Sequence, residues 1–313
     1  MKGLELCRGF YEEYGAPMLR EQFADVLPLL AVGVCGAGSE CLGYDDTVST
    51  DHDFEPGFCI FLPDEKTLDR QTAFRLERAY AKLPREYGGF SRPRMEAVGG
   101  ARRGVLRTAD FFREKCGAED ALLTLEEWLR TPEHALLEAV NGEIWSDPYG
   151  EVTRLRERLS YLPEDVRRKK LAGQLLLMAQ SGQYNYRRCI LHGERAAAQL
   201  AVFEFVRSAL SAAFLLNRRY QPYYKWAFRA LRDLPLLSEL AAPLEALMTT
   251  ENDGEIAEDK YYTIEDIAAK VIDALVTQEL TRANCGDLEK HAYSVNDGIA
   301  DGEVRNLHIL AAV

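Results

Sequence analysis

Nothing in this chain reads as a membrane span. The most apolar run, AAAQLAVFEFVRSALSAAFLL, is interrupted by Glu204 and Arg207, and charges inside a spanning helix are costly. The opening MKGLELCRGFYEEYG has no continuous apolar core of the kind a secretion signal needs. Cysteine occurs seven times but never as a CxxC pair, which argues against a zinc cluster and for reduced thiols. The expectation is a cytoplasmic protein without a membrane partner. Internal repeats and low-complexity segments are also missing.

The net charge of −12 argues against bulk, sequence-independent binding to DNA. Its distribution is uneven. From residue 151 to 232, 16 Lys and Arg stand against 6 Asp and Glu, a local balance of +10, so the remainder carries −22. A local anion site on the basic half is compatible with the acidic total.

At 313 residues, with 47% hydrophobic and 28% charged side chains, the chain is long enough for two domains with their own cores. The first 30 residues read as helical, with breaks near Gly15 and Pro17 and at Pro28. An apolar strand at 29–35 runs into a glycine turn, a helix can begin at 40–42, and 58–62 is a short apolar strand between Pro56 and Pro63. Residues 66–83 form an amphipathic helix pattern, marked by Leu68, Phe74, Leu76 and Tyr80. The Gly- and Arg-rich stretch 85–104 reads as a loop or phosphate-meeting flap, and 105–108 as a returning strand. From Thr124 onward the chain is nearly all helical, and Thr263 with Asp266 resembles a capping box. The expected fold is α+β: a mixed sheet with flanking helices over 1–120, then an all-helical domain over 121–313.

The most informative segment is 33–54, GVCGAGSECLGYDDTVSTDHDF. Gly38 and Ser39 close the first strand, and Asp51 and Asp53 follow. If 50–54 is extended, those two carboxylates share a face and can share a divalent ion. Magnesium is commonly held by one or two carboxylates plus substrate phosphates. Gly38 lets backbone approach a phosphate, and Ser39 can donate to it. The competing patterns are weaker. Gly36 and Gly38 open a GxG, but Cys41 stands where a dinucleotide fingerprint needs its third glycine, and no GK[ST] ends a Walker A loop. His192, His291 and His308 lack metal-ligand spacing.

Two basic segments, SGQYNYRRCILHGERAAA and FLLNRRYQPYYKWAFRAL, interleave cations with aromatic rings. Arg187, Arg188 and Lys225 are the candidates to meet a nucleotide, as an anion and base platform; an exposed helix face is the plainer explanation.

These residues resemble the nucleotidyltransferase superfamily, whose signature is a strand, a Gly-Ser turn and an Asp-x-Asp on the next strand. More closely, GSECLGYDDTVSTDHDF with SGQYNYRRC and LLNRRYQPYYKW resembles a bacterial family of two-part proteins known as a domain of unknown function, DUF4037. The resemblance implies a nucleotidyltransferase-like domain followed by a helical domain similar to that of aminoglycoside nucleotidyltransferases. It assigns Gly38 and Ser39 to the phosphate turn and Asp51 and Asp53 to magnesium. A nucleoside triphosphate would be the donor, and the acceptor, whether small molecule, protein or RNA, is left open. One departure stands out. Active members of the superfamily carry a third carboxylate on a later strand, and 104–108 has none; Glu96 or Glu143 could substitute. A binding or regulatory module that holds nucleotide without turnover is therefore the main alternative, and an interaction protein similar to an antitoxin a third.

Overall fold

The structure, a computed structural model, describes residues 2–48, 55–92 and 103–313. It is α+β, with a four-stranded mixed sheet and a largely helical C-terminal region. The chain packs as two compact units. The first holds residues 1–123 and 135–160, the second 124–134 and 161–313, so the division is not a single cut in the sequence.

In the first unit, β1 (Ala31–Val34) and β2 (Cys59–Leu62) are antiparallel and buried throughout, as four-residue apolar runs in the middle of a sheet should be. β3 (Glu86–Tyr87) and β4 (Phe90–Ser91) form a separate hairpin whose Gly88 and Gly89 both have positive φ, the backbone that two-residue hairpin turns demand. Part of the stretch expected to be loop or flap is thus ordered pairing. β5 (Gly104–Arg107) runs parallel to β2, and β6 (Glu143–Ser146) runs antiparallel to β1, giving the order β5-β2-β1-β6. β6 explains why 135–160 rejoin the first unit: without it β1 would be an open edge.

Helices cover this sheet. The N-terminal helix does not break at Gly15 and Pro17. Gly3–Phe10 passes through a wider π-helical segment, Tyr11–Gly15, into Ala16–Gln22, with the Ala16 N–H donating to the Tyr11 carbonyl. Pro17 has no N–H to donate, and local widening lets the rod continue past it. The helix Arg70–Ala81 is capped by the Asp69 carboxylate, which accepts from the Thr72 N–H at 2.7 Å. It buries Leu76 and Tyr80, while Phe74 stays outside. Phe10, Leu19, Phe58, Ile60, Leu76 and Tyr80 form the centre of the core.

The second unit is built on Glu164–Met178, which continues as a π-helical segment, Ala179–Tyr186, into Arg187–Leu191. Against it pack Arg195–Leu216 and Leu288–Asp297. Among the described residues, Arg195–Leu216 is the one helix long and apolar enough by composition to cross a membrane, and 61% of its apolar window is buried inside the structure. Gly254–Thr277 is a single helix. Thr263 does not open it; its hydroxyl donates to the Asp259 carbonyl one turn back, and the preceding turns are already helical and bury Ala257 and Lys260.

Candidate functional site

β1 leads directly into the glycine turn. Gly36 and Gly38 have φ of +107° and +134°, conformations in which a side chain is strained. Ser39 then begins one helical turn, Ser39–Leu42, which Gly43 ends with φ of +73°. The structure therefore brings Gly38 and Ser39 together at the end of a buried strand. Ser39 is partly exposed. The N–H groups that open a helical turn have no partner within it.

The turn is clamped from outside its own sequence. The Asn141 side chain makes a two-point contact with Gly36, accepting from its N–H and donating to its carbonyl, both at 2.9 Å. The Gly142 N–H donates to the Cys41 carbonyl at 3.0 Å. Gly142 sits so close to β1 that a Cβ there would lie 2.0 Å from the Val34 carbonyl oxygen. Arg156 fixes this segment in turn, donating to the carbonyls of Val140 and Asn141. None of these residues was singled out from the sequence; the Asn-Gly pair before a short apolar run was the available signal.

Two acids close to the turn are already committed. Glu40 is buried and ion-paired with buried Arg103, which precedes β5. Asp45 is buried as well, accepting from the Gly3 N–H at 2.9 Å and facing the Lys2 ammonium at 3.6 Å. Neither presents free negative charge beside Ser39, so the turn is left hospitable to an anion. The thiols do not compete as ligands. Burial pushes Cys41 up to about 12, against the opposing pull of Arg103, and pushes Cys35 up further, so both are protonated at neutral pH.

Asp51, Asp53 and Glu96 lie outside the described residues. Among the described residues no group of three or more His, Cys, Asp or Glu could hold a metal ion. Glu143 opens β6 opposite Val34. Its carboxylate accepts from the Trp145 indole N–H at 2.9 Å and lies 3.9 Å from the Arg8 guanidinium.

The three cationic candidates belong to the second unit. Arg187 lies 4.8 Å from the Tyr261 ring centre, Arg188 is 5.0 Å from that of Tyr184, and the Lys225 ammonium is 5.2 Å from that of Trp226. Arg187 and Arg188 emerge side by side from the π-helical segment, whereas Lys225 is on Tyr224–Arg232.

That π-helical segment and the helix carrying Lys225 overlap a stretch with a recognisable pattern. Residues 128–227 match the family model of DUF4037, a domain of unknown function. The match takes in Asn141, Gly142 and β6 from the first unit and, from the second, the first basic aromatic segment and the other as far as residue 227. It supports the DUF4037 part of the resemblance and stops short of the Gly38–Ser39 turn. No curated protein and no solved structure matches the chain.

Proposed function

We propose that the protein is a magnesium-dependent nucleotidyltransferase-like protein that moves a nucleoside monophosphate from a triphosphate to an acceptor. The observation that carries this reading is the clamped turn: a buried strand, a positive-φ glycine pair and Ser39, followed by a second strand antiparallel to the first and a third parallel to the second. In that order of elements, residues 51–53 enter the chain shortly before β2. Two carboxylates one residue apart are hard oxygen donors of the type that suits magnesium. A bound magnesium ion would offset charge on the triphosphate.

The chain's own groups have distinct tasks in this reading. Backbone N–H groups at Gly38 and Ser39 hold phosphate oxygens, and the Ser39 hydroxyl donates to one of them. Arg187, Arg188 and Lys225 are the cations offered to a nucleotide in this reading, as donors of the kind that meet phosphate. An acceptor hydroxyl attacks the α-phosphorus, the bond to the bridging oxygen breaks, and pyrophosphate leaves. Glu96 or Glu143 takes the hydroxyl proton.

A second reading is favoured by one observation. β5 carries Gly104, Val105, Leu106 and Arg107, with no carboxylate, which suits a regulatory module that binds nucleotide without turnover. Labelled nucleoside triphosphates with magnesium, with and without candidate acceptors, separate the two: pyrophosphate release supports transfer, and binding alone supports the sensor. Changing Asp51 and Asp53 together to Asn should abolish magnesium-dependent nucleotide binding in calorimetry and leave the fold intact. Unchanged affinity in that variant would remove the metal assignment. If turnover occurs, Glu96→Gln or Glu143→Gln should suppress it; activity surviving both changes would clear these residues of the base role.

A further inference from the structure

The segment between Arg195–Leu216 and Tyr224–Arg232 is held at nearly every residue. Arg218 occupies the left-handed region at φ +51°, where glycine usually ends a helix, and the Arg219 N–H donates back to the Phe214 carbonyl. The Arg218 guanidinium meets the Glu164 carboxylate at 2.8 Å, and Glu164 also pairs with Arg167 and Arg168. The Asn217 side chain brackets Leu236 by bonding both its N–H and its carbonyl. Gln221 donates its N–H to Glu133 and accepts from the Ser211 hydroxyl. Tyr220 is buried against Tyr161, with ring centres 5.4 Å apart.

After all this anchoring, the next two side chains point out. Tyr223 is 52% exposed and Tyr224 is 76% exposed. Their ring centres are 4.4 Å apart, and the His134 ring braces Tyr223 from 5.8 Å. Two aromatic rings paired at a tilt of 46° on an anchored segment, each more than half exposed, leave apolar area uncovered. Between Glu204 and Asp233 the sequence contains six Lys and Arg and no Asp or Glu, and three of the six, Arg207, Arg218 and Arg232, pair with Glu204, Glu164 and Glu245. Arg219 and Lys225 make no ion pair among the described residues.

We infer that Tyr223 and Tyr224 form a stacking ledge for a base of single-stranded nucleic acid, with Arg219 and Lys225 meeting its phosphates. Every base offers a π face, so an aromatic ledge beside unpaired cations takes a strand without reading its sequence. The cations are few and the molecule as a whole is acidic, which limits the contact to a short strand or a strand end and excludes duplex wrapping. A bound strand would also bring a terminal hydroxyl, the kind of acceptor that the proposed transfer requires. The ledge itself needs neither the triphosphate nor magnesium.

The test is fluorescence anisotropy of a short fluorescein-labelled oligoadenylate titrated with the full chain at low salt in the presence of EDTA. Binding should weaken about tenfold or more in Tyr224→Ala, as expected for loss of one base stack, and should be kept in Tyr224→Phe, which retains the ring. Lys225→Gln should lower the steepness of the salt dependence. No binding at protein concentrations up to about 100 μM, the weak end of non-specific affinity, would overturn the proposal. So would equal binding by Tyr224→Ala, or displacement by free AMP as effective as by unlabelled strand. Because the assay contains no metal and no triphosphate, failure of the transferase reading cannot produce or hide any of these results.

Discussion

Single side chains in this protein often act across long sequence separations, and their chemistry sets measurable properties. Asn141 is the clearest case, since one amide satisfies both backbone groups of Gly36 from 105 positions away. Lys260 is another. It is buried, and among the described residues its ammonium donates only to neutral oxygens, the Gln199 side chain and the Thr250 carbonyl. Burial without a counter-charge pushes it down to about 8. Below that pH the group is protonated in both the folded and the unfolded chain, so the cost of burying the charge is present in full. As pH rises from about 8 toward the unfolded value of about 10.4, the folded state sheds its proton first and the cost fades. The stability of the parent relative to Lys260→Met should therefore increase over that window, read as urea unfolding at both ends; a difference independent of pH would refute the assignment. At this scale the sequence was partly readable. Gly38 and Ser39 stood out because Gly and Ser next to a strand end have a mechanism, whereas Asn141, Arg103 and Lys260 acquire meaning only through partners that no local pattern points to.

Among the elements, the two π-helical segments share a design. In each, a glycine lies against an aromatic ring: Gly15 faces Phe58, and Gly182 faces Phe205 and Ile264. A Cβ at Gly182 would lie 2.3 Å from the Phe205 ring and 2.8 Å from the Ile264 side chain, so side chains from two other helices pack directly on its backbone. Gly182→Ala should therefore destabilise the protein by about 1–3 kcal/mol, the range for overpacking a core, despite alanine's higher helix propensity. Thermal unfolding decides it, and a neutral or stabilising result would mean that the neighbours give way easily. Regular elements were well marked by their periodicity, Arg70–Ala81 and the first two strands in particular. The π-helical segments were not, because Gly15 with Pro17, or a glycine inside SGQYNY, reads equally as a break. Thr263 misled for a related reason: a Thr followed three residues later by an acid occurs inside helices as well as at their starts, and only the turns before it reveal which.

For the molecule as a whole, the α+β character and the helical second half followed from composition and spacing, but the way the sheet is completed did not. β6 has four residues, of which Glu143 is exposed and the rest half-buried, so it lacks the apolar run that announces an interior strand. Its pairing with β1 nevertheless defines which parts of the chain form the first unit. A fragment ending at residue 120 would leave one edge of β1 unpaired and Gly36 without Asn141, whereas one ending at residue 160 contains β6 and Asn141. The shorter fragment should be aggregated or unfolded by circular dichroism and the longer one should show a cooperative transition; a well-folded 1–120 fragment would contradict this. The same dependence has a temporal side. During synthesis, the strand that precedes the Gly38–Ser39 turn leaves the ribosome more than a hundred residues before the strand that closes over it. At 5–20 residues per second the nascent chain waits for several seconds or more with that edge uncovered. The turn is thus assembled late, and its supply in the cell is exposed to whatever binds unpaired strands in that interval.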